Sequence, residues 1–438
     1  MVNTIILFVI LILILWMCVI SSRKILITPA FCFTLSFIIS IGYALFSNTY
    51  IELNMSYKTL LCIGGGVAIF ALSCIILKKS VLTYKNKSIT NDFLYEVRPL
   101  YIDKKFLIVF LILELFIIYK YRKFYMNTTG LSSYADAIYM YRNAVMFTEQ
   151  KMQSISSYIL LLRRICVASG YLFSYVLFHS SIYKYKVPRK LLILNIVLII
   201  YLNTLSGSRG PAITYILTMA VQVYLLYGNM RNWNKVIKFK HILYGIALFM
   251  VLIFGFETFG NMMGRNSTKT MTDYLAVYIS APVKNLDSFI REGEFGSHIS
   301  NNQTFIYVVN WIANRFRIDQ LYHNTDQPFR YNSSGRGLGN VYTTFYAFLY
   351  DGGIIGLVIL TCIMALICQY LFLKSIKKNK NRINICLMMY AYIVPYLGMS
   401  FFSNKFYENI FNPLFILYIV IWYIMEFILF RLKFKISR

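Results

Sequence analysis

The chain has 438 residues, of which 58% are hydrophobic and only 14% are charged, yet its formal net charge is +27. Since soluble domains carry about 25% charged residues, this composition excludes a soluble enzyme, a disordered chain and a secreted scaffold held by disulfides. An apolar body with so many cations is typical of an integral membrane protein with basic cytoplasmic loops, which argues against nucleic acid as a partner.

Eleven apolar stretches are predicted to be membrane-spanning helices, which need about 20 residues each. In chain order they cover residues 4–20, 25–46, 59–77, 106–119, 164–183, 191–205, 211–227, 242–259, 352–373, 384–402 and 411–430. The sequence therefore predicts an all-α polytopic membrane protein. Its expected parts are eight spans in residues 1–259, a large outer loop with short helices at 260–338, and three spans with a basic tail at 339–438.

The loop charges predict how the chain crosses the membrane. Six alternate segments, the C-terminal tail among them, carry 26 Lys and Arg against three acids, whereas the opposite loops carry 16 Lys and Arg against 10 acids. Basic loops stay on the cytoplasmic side, so we expect the N-terminus outside and the C-terminus inside. The eight cysteines and four histidines show no metal-ligand spacing, so we expect neither a metal site nor disulfides.

Two of the predicted outer segments are longer than simple connections. Residues 120–154 are rich in tyrosines and bases and form either an interfacial helix or a lid over sugars or lipid headgroups. Residues 260–337 are predicted to hold short helices at 274–279 and 305–316, and between these lie the polar residues Glu292, Glu294 and His298. A hydrophilic segment of this length indicates recognition or chemistry at the outer face, and a solvated linker is the alternative.

The turn Ser206-Gly207-Ser208-Arg209-Gly210-Pro211 joins two predicted spans on the outer side. Its glycines allow a tight turn, and the amides that begin the next helix would bind phosphate together with Arg209. The alternative is an arginine that reaches up to lipid headgroups. Arg163 and Arg164 lie inside an earlier span or at its boundary, depending on where that helix begins. Because adjacent helical residues diverge by about 100°, at most one of them points at a shared site.

A second glycine-rich stretch begins at Gly335-Arg336-Gly337-Leu338-Gly339. It is not a nucleotide loop, since no predicted strand precedes it and no P-loop lysine follows it. We predict a half-helix at 340–350 and a span from Gly352. Asp351 would then be either the N-cap of that span or a carboxylate near an outer-face site.

These motifs resemble the signature of the bacterial oligosaccharide repeat-unit polymerases, which are the O-antigen and capsule polymerases. The resemblance lies in Ser206-Gly207-Ser208-Arg209-Gly210, in Asn340-Val341-Tyr342-Thr343-Thr344-Phe345 and in Asp351-Gly352-Gly353-Ile354-Ile355-Gly356. The large outer loop between them, with Asn302-Gln303-Thr304-Phe305, is similar in placement. The topology of most of the chain agrees with the family, although the family commonly has a large residue where this chain has Gly352.

The resemblance implies a multi-pass glycosyltransferase of the bacterial inner membrane whose site faces outward. Such enzymes transfer a growing glycan from undecaprenyl pyrophosphate to the next undecaprenyl-pyrophosphate-linked repeat, and a chain-length regulator is an expected partner. No cofactor is needed, because the leaving group is already an activated diphosphate. The site must supply positive charge for the diphosphates and a base for the acceptor hydroxyl.

Residues on the predicted outer side are assigned to these roles through the resemblance. The diphosphates would bind arginines, whose forks match phosphate, and the sequence offers Arg209, Arg336, Arg163, Arg164, Arg315 and Arg317. The expected catalytic bases are His298 and Asp351, and the expected sugar-binding residues are Asn340 and Tyr342. Two other functions stay open, a flippase or exporter of the same lipid-linked sugar and an O-antigen ligase.

Overall fold

A computed structural model describes residues 1–22, 25–85, 99–147, 153–233, 271–296, 302–322, 327–377 and 383–431. These residues are mostly helical, and the strands among them form one two-stranded sheet. Seven helices in this part of the chain are long and apolar enough to cross a membrane, which confirms the prediction of a multi-pass α-helical membrane protein. The predicted span at 242–259 lies outside the described residues, and both the count of eleven spans and the orientation stay predictions.

The described elements follow one another in this order. The helices are α1 (Val2–Ser21), α2 (Pro29–Phe46), α3 (Asn48–Ile51), α4 (Tyr57–Lys85), α5 (Lys104–Thr129), α6 (Tyr134–Phe147), α7 (Ser157–Tyr183), α8 (Arg189–Thr204), α9 (Gly210–Met230), α10 (Met271–Leu275), α11 (Ala281–Glu292), α12 (Ile306–Phe316), α13 (Thr344–Ser375), α14 (Ile385–Gly398), α15 (Lys405–Ile410) and α16 (Pro413–Glu426). The strands β1 and β2 pair in antiparallel fashion and cover Arg330–Tyr331 and Gly337–Gly339. Shorter turns are π-helical at Ala276–Ser280 and Phe427–Arg431 and 3-10 helical at Asp319–Leu321.

The chain divides into two compact units. Unit 1 consists of Met1–Phe93, Lys269–Lys374 and Ile393–Phe415, and unit 2 of Leu94–Thr268, Ser375–Tyr392 and Ile416–Arg438. Helices α5 to α9 therefore belong to unit 2, and the residues of α14 and α16 are divided between the units. The described part of the predicted outer loop groups with the N-terminal spans in unit 1, where the Ser40 hydroxyl of α2 donates to the carbonyl of Ile279 (2.5 Å).

Aromatic side chains hold the apolar helices of unit 1 together. The ring of Phe33 in α2 stacks on Phe70 of α4 at 4.1 Å, and Phe37 stacks on Phe345 of α13 at 5.2 Å. All four rings are fully buried. Gly66 of α4 permits this approach, because a Cβ at that position would lie 2.5 Å from the ring of Phe345.

Helix α13 changes direction at Gly353, whose φ of 58° and ψ of −148° suit glycine alone. The carbonyl of Leu349, in the part of the helix before the bend, accepts from the amide of Gly296 (3.1 Å). The predicted half-helix thus exists as the first part of α13, but it starts at Thr344 rather than at residue 340 and continues past the bend to Ser375.

Unit 2 packs around the buried face of α7. Gly170 in this helix lets its neighbours approach, because a Cβ there would lie 2.6 Å from Ile199 of α8 and 3.0 Å from the hydroxyl of Tyr215 in α9. The ring of Tyr171 meets that of Tyr215 edge-on at 4.8 Å. The indole of Trp422, which is fully buried, donates to the carbonyl of Ala168 (2.9 Å).

Several helix boundaries differ from the prediction. Helix α5 has 26 residues where the sequence predicted 106–119, and α7 begins at Ser157 rather than at residue 164. Helix α6 occupies part of the segment that was predicted as an interfacial helix or lid. Helix α11 was not predicted, because polar residues such as Asn285 and Asp287 interrupt its apolar pattern, and both are buried in the fold.

Candidate functional site

The turn at residues 206–210 is the centre of the candidate site in unit 2. Gly207 has a positive φ of 66°, and a Cβ there would lie 2.8 Å from the side chain of Ile138, so only glycine fits. Pro211 follows in the first turn of α9, as its fixed φ favours. Arg209 occupies the N-cap position of α9 and is only 7% exposed, so the turn holds this arginine within the protein rather than in bulk water.

Arg163 lies against the C-terminal end of α8. Its Nε donates to the carbonyl of Leu202 (3.1 Å), and its guanidinium lies 5.6 Å from the centre of the Tyr121 ring. Both neighbours favour a cation, since the last carbonyls of a helix carry partial negative charge and the face of an aromatic ring attracts cations. Among the described residues, the two terminal nitrogens of Arg163 have no hydrogen-bond partner, so they are available for an anion.

The length of α7 places Arg163 and Arg164 near one end of a span. The helix has 27 residues and is therefore about 40 Å long, against about 30 Å for the hydrocarbon core of a bilayer. The stretch from Arg164 to Tyr183 alone is about 30 Å long, so neither arginine needs to enter the core. The side chain of Arg164 points about 100° away from that of Arg163 and is half-exposed.

Two further side chains bind the same turn. Arg142 of α6 donates from Nη1 to the carbonyl of Gly207, and the hydroxyl of Tyr125 in α5 donates to the carbonyl of Leu205 (2.9 Å). Side chains from α5, α6 and α7 therefore meet the peptide groups that end α8 and precede α9. We refer to Arg142, Arg163 and Arg209 as the arginine cluster.

A groove opens in unit 2 between the end of α5 and the start of α7. Its volume is about 430 Å³, and its lining residues are Lys120, Lys123, Phe124, Asn127, Thr128, Gln153, Ser154, Ile155, Ser156 and Ile159. Two ammonium groups, amides and hydroxyls surround an aromatic ring, which is a suitable lining for a polar anionic ligand such as a glycan phosphate. The groove is formed largely by residues of the segment 120–154, which was predicted as either an interfacial helix or a lid over sugars or headgroups.

In unit 1, Arg330 of β1 is tied to a carboxylate. It forms a bidentate ion pair with Glu292, in which Nη2 lies 2.5 Å from Oε2, and its Nε donates to the hydroxyl of Tyr342 (2.9 Å). The hydrogen bonds that Arg330 donates to Glu292 raise the pKa of its guanidinium. Tyr342, predicted to bind sugar, is 1% exposed and donates to the carbonyl of Pro328 (2.9 Å), so in this structure it holds Arg330.

The tip of the β1–β2 hairpin is anchored by Glu52, which no motif in the sequence indicated. Its carboxylate accepts from the amide of Ser333 (3.0 Å) and from the hydroxyls of Ser333 and Ser334, and these hydroxyl hydrogen bonds lower the pKa of Glu52. Arg336 lies in the same tip, exposed, with its guanidinium 5.5 Å from the centre of the Tyr50 ring. Glu52 and Ser333 are 281 positions apart in the sequence, so no local pattern predicts their contact.

Asp351 holds the turn that precedes α12. Its two carboxylate oxygens accept from the amides of Gln303 and Thr304, each at 2.7 Å. It lies inside α13, two residues before the bend, and so does not cap the start of a span. The carbonyl of Thr304 accepts from the side-chain amide of Asn404 (3.0 Å), which extends the network. Both oxygens are thus engaged with backbone donors in this structure.

The remaining predicted residues are dispersed over unit 1. Arg315 and Arg317 are exposed at the C-terminal end of α12, where Arg317 has a positive φ of 55°, and Asn340 is exposed just after β2. His298 lies outside the described residues. In the described part of the chain, no group of three or more His, Cys, Asp or Glu side chains is arranged to hold a metal ion.

Comparisons with known proteins do not identify a family for this chain. Models of known protein families, curated proteins and solved structures were compared with this chain, and none of them matches it.

Proposed function

We propose that this protein is a glycosyltransferase of the bacterial inner membrane that polymerises lipid-linked oligosaccharide repeats at the outer leaflet. The growing glycan would leave undecaprenyl pyrophosphate and join a hydroxyl of the incoming undecaprenyl-pyrophosphate-linked repeat. The observation that carries this proposal is the arginine cluster, in which Arg163 keeps both terminal nitrogens available and Arg209 is largely buried. Helices α7 and α9, which carry Arg163 and Arg209, are long and apolar enough to cross a membrane, which suits lipid substrates.

The proposed reaction depends on stabilisation of developing negative charge more than on covalent catalysis by the protein. The bond between the anomeric carbon and the phosphate oxygen breaks, the leaving diphosphate keeps the electron pair, and the acceptor oxygen bonds to the anomeric carbon. Guanidinium groups positioned at the departing diphosphate stabilise the negative charge as it develops. The arginine cluster suits this role because guanidinium binds phosphate through two parallel hydrogen bonds and stays charged.

The acceptor hydroxyl must lose its proton to a base as the new bond forms. Of the two bases predicted from the sequence, Asp351 already accepts backbone hydrogen bonds at both oxygens, so we assign it to holding the turn before α12. We therefore propose His298 as the base, since an imidazole titrates near neutral pH.

The sugar part of the substrate would occupy the groove between α5 and α7. Lys120 and Lys123 would bind phosphate or acidic sugars, the side chains of Asn127 and Gln153 would bind hydroxyl groups, and Phe124 would stack on a sugar ring. In unit 1, the exposed Arg336, Arg315, Arg317 and Asn340 stay candidates for binding a lipid-linked glycan.

The test measures the length of the glycan made by a deletion strain that expresses a single-residue variant of this protein. Arg163→Ala and Arg209→Ala are expected to leave one repeat on the carrier instead of a long chain. The matched control is Arg231→Ala, which also removes an arginine that contacts a ring, Tyr227 at 4.8 Å, but at the far end of α9. Protein amounts in the membrane are measured by immunoblot.

The same experiment separates the alternative functions. Loss of all surface glycan in the deletion strain would indicate a flippase or exporter. Long chains that stay on the lipid carrier would indicate a ligase. Chains of normal length in both arginine variants, at normal protein level, would exclude the arginine cluster as the diphosphate site.

A further inference from the structure

A buried carboxyl group in unit 2 has no partner. Glu114 lies near the middle of α5 and is fully buried, and within the described residues neither of its oxygens has a hydrogen-bond partner. It belongs to the buried face of α5, between Leu111 and Ile117. The function proposed above gives it no role, so it requires a separate explanation.

The groups that face Glu114 do not neutralise a negative charge. Cys166 of α7 and Tyr215 of α9 are near enough to interact with it electrostatically, and both are uncharged at neutral pH. On α8, the uncharged side-chain amide of Asn195 donates to the carbonyl of Leu107 (3.4 Å), seven residues before Glu114 on α5. An ionised carboxylate in such surroundings is strongly disfavoured, and the group becomes neutral instead.

A buried carboxylate that serves structure looks different in this protein. Asp287 in unit 1 is 1% exposed, and it accepts from the amide of Ser56 (2.8 Å), the hydroxyl of Thr59 (2.7 Å) and Nε of Arg291 (2.9 Å). These three donors satisfy the buried carboxylate of Asp287. Glu114 has none of them, so its surroundings select the protonated form.

We propose that Glu114 is a proton-binding site in the apolar core of unit 2. The bound proton makes the carboxyl neutral while α5 is packed against α7 and α8. Release of the proton would require water to reach the carboxyl, and therefore a separation of α5 from these helices. Proton release and the packing of α5 are then two linked equilibria, each of which shifts the other. This proposal is independent of the glycan chemistry.

The same face of α5 connects this site to the arginine cluster. Tyr121, which carries Arg163 against its ring, follows Glu114 by seven residues, or about 10 Å along the helix. A movement of α5 that exposes Glu114 would therefore also displace the aromatic support of Arg163. The proton site is placed where it can respond to the state of the turn at 206–210.

The proton is observable by infrared spectroscopy on the full chain in lipid nanodiscs. The C=O stretch of a protonated carboxylic acid is separate from the bands of carboxylates. At pH 7 we expect such a band in the wild type and its loss in Glu114→Gln. The matched control, Glu408→Gln, removes a carboxylate that is paired with Lys405 (2.5 Å) and should leave the band unchanged. A band that is absent from the wild type, or that persists in Glu114→Gln, overturns the proposal.

A second measurement does not depend on the variant folding. Dicyclohexylcarbodiimide reacts with protonated carboxyls: the acid proton moves to a carbodiimide nitrogen, the carboxyl oxygen bonds to the central carbon, and rearrangement gives a stable N-acylurea. Mass spectrometry of the treated wild type should locate this adduct at Glu114 and not at Glu408. Loss of both the infrared band and the adduct when sodium chloride is added would show a site for a metal cation instead, and would also overturn the proposal.

Discussion

The two units use their cations in different ways. In unit 1, several arginine and lysine side chains are paired with carboxylates, as in Arg291–Asp287, Arg330–Glu292 and Lys405–Glu408, although Arg336 lies over the ring of Tyr50. In unit 2, Arg142 and Arg163 donate to backbone carbonyls, and Arg163 also lies against an aromatic ring. A carboxylate cancels the charge of a guanidinium, whereas a carbonyl or a ring offsets only part of it. The number of arginines in a sequence therefore overstates how many can bind an anionic substrate.

The largest effect is expected from removal of the Arg163 guanidinium in unit 2. Replacement of Arg163 by alanine should lower the polymerisation rate by about 10²–10³-fold, as expected for a lost donor at a developing oxyanion. Arg163→Lys should restore only part of the rate, because lysine keeps the charge but cannot bind phosphate bidentately. The measurement is chain extension by purified protein with a lipid-linked repeat. Full activity in Arg163→Lys would show that charge alone is sufficient.

The opposite test removes a paired carboxylate in unit 1. Asp287→Ala would leave the amide of Ser56, the hydroxyl of Thr59 and the guanidinium of Arg291 without their acceptor. We expect a loss of about 3 kcal/mol in the free energy of unfolding, since removal of one partner from a buried network is strongly destabilising. The thermal midpoint in detergent should fall accordingly. Asp319→Ala, at an exposed position, is the control and should change the midpoint little.

A third prediction concerns the bend in α13. Gly353→Ala should destabilise the protein by about 2 kcal/mol, because the backbone conformation at this position is strained for any residue with a Cβ. The neighbouring Gly352→Ala is a close control, since an added Cβ there meets nothing within 4 Å. It should be neutral or slightly stabilising, as alanine favours helix over glycine. Equal effects of the two substitutions on the thermal midpoint would show that the backbone at Gly353 is not strained for alanine.

The smallest expected effect is at the hairpin tip. The folded state lowers the pKa of Glu52, so its contribution to stability is present above the unfolded value of about 4.3 and is lost as the pH falls through the lower folded value. Near neutral pH, Glu52→Gln should therefore speed hydrogen exchange at the amide of Ser333. The difference from the wild type should disappear in strongly acidic buffer. Asp319→Asn serves as the control, and a difference that is unchanged by pH would argue against a role of the charge.

The general architecture could be predicted because it depends on local composition. Long apolar runs identify membrane helices without reference to the rest of the chain, and seven of them are present as such helices. The boundaries were harder to predict. The apolar residues ahead of Arg163 continue α7 back to Ser157, since a pair of arginines near a helix end costs little where their side chains reach the headgroup region.

The candidate site could be predicted only in part, because pairing depends on the fold. The sequence indicated Arg163 and Arg209, but nothing local shows that Arg330 is paired with Glu292, 38 residues away, or that Glu52 anchors the hairpin tip. Tyr342 was predicted to bind sugar because of its motif. Its ring is buried, and its hydroxyl bonds to Arg330 and Pro328, which no periodicity reveals.

The bend at Gly353 has a consequence for insertions and deletions in this region. The first part of α13 is anchored at two points, by the carbonyl of Leu349 to Gly296 and by the carboxylate of Asp351 to Gln303 and Thr304. An added residue between Thr344 and Leu349 would rotate both anchors by about 100° and release them together. One added after Gly353 would leave both anchors in place. Natural length variation in this protein should therefore be absent between Thr344 and Gly353.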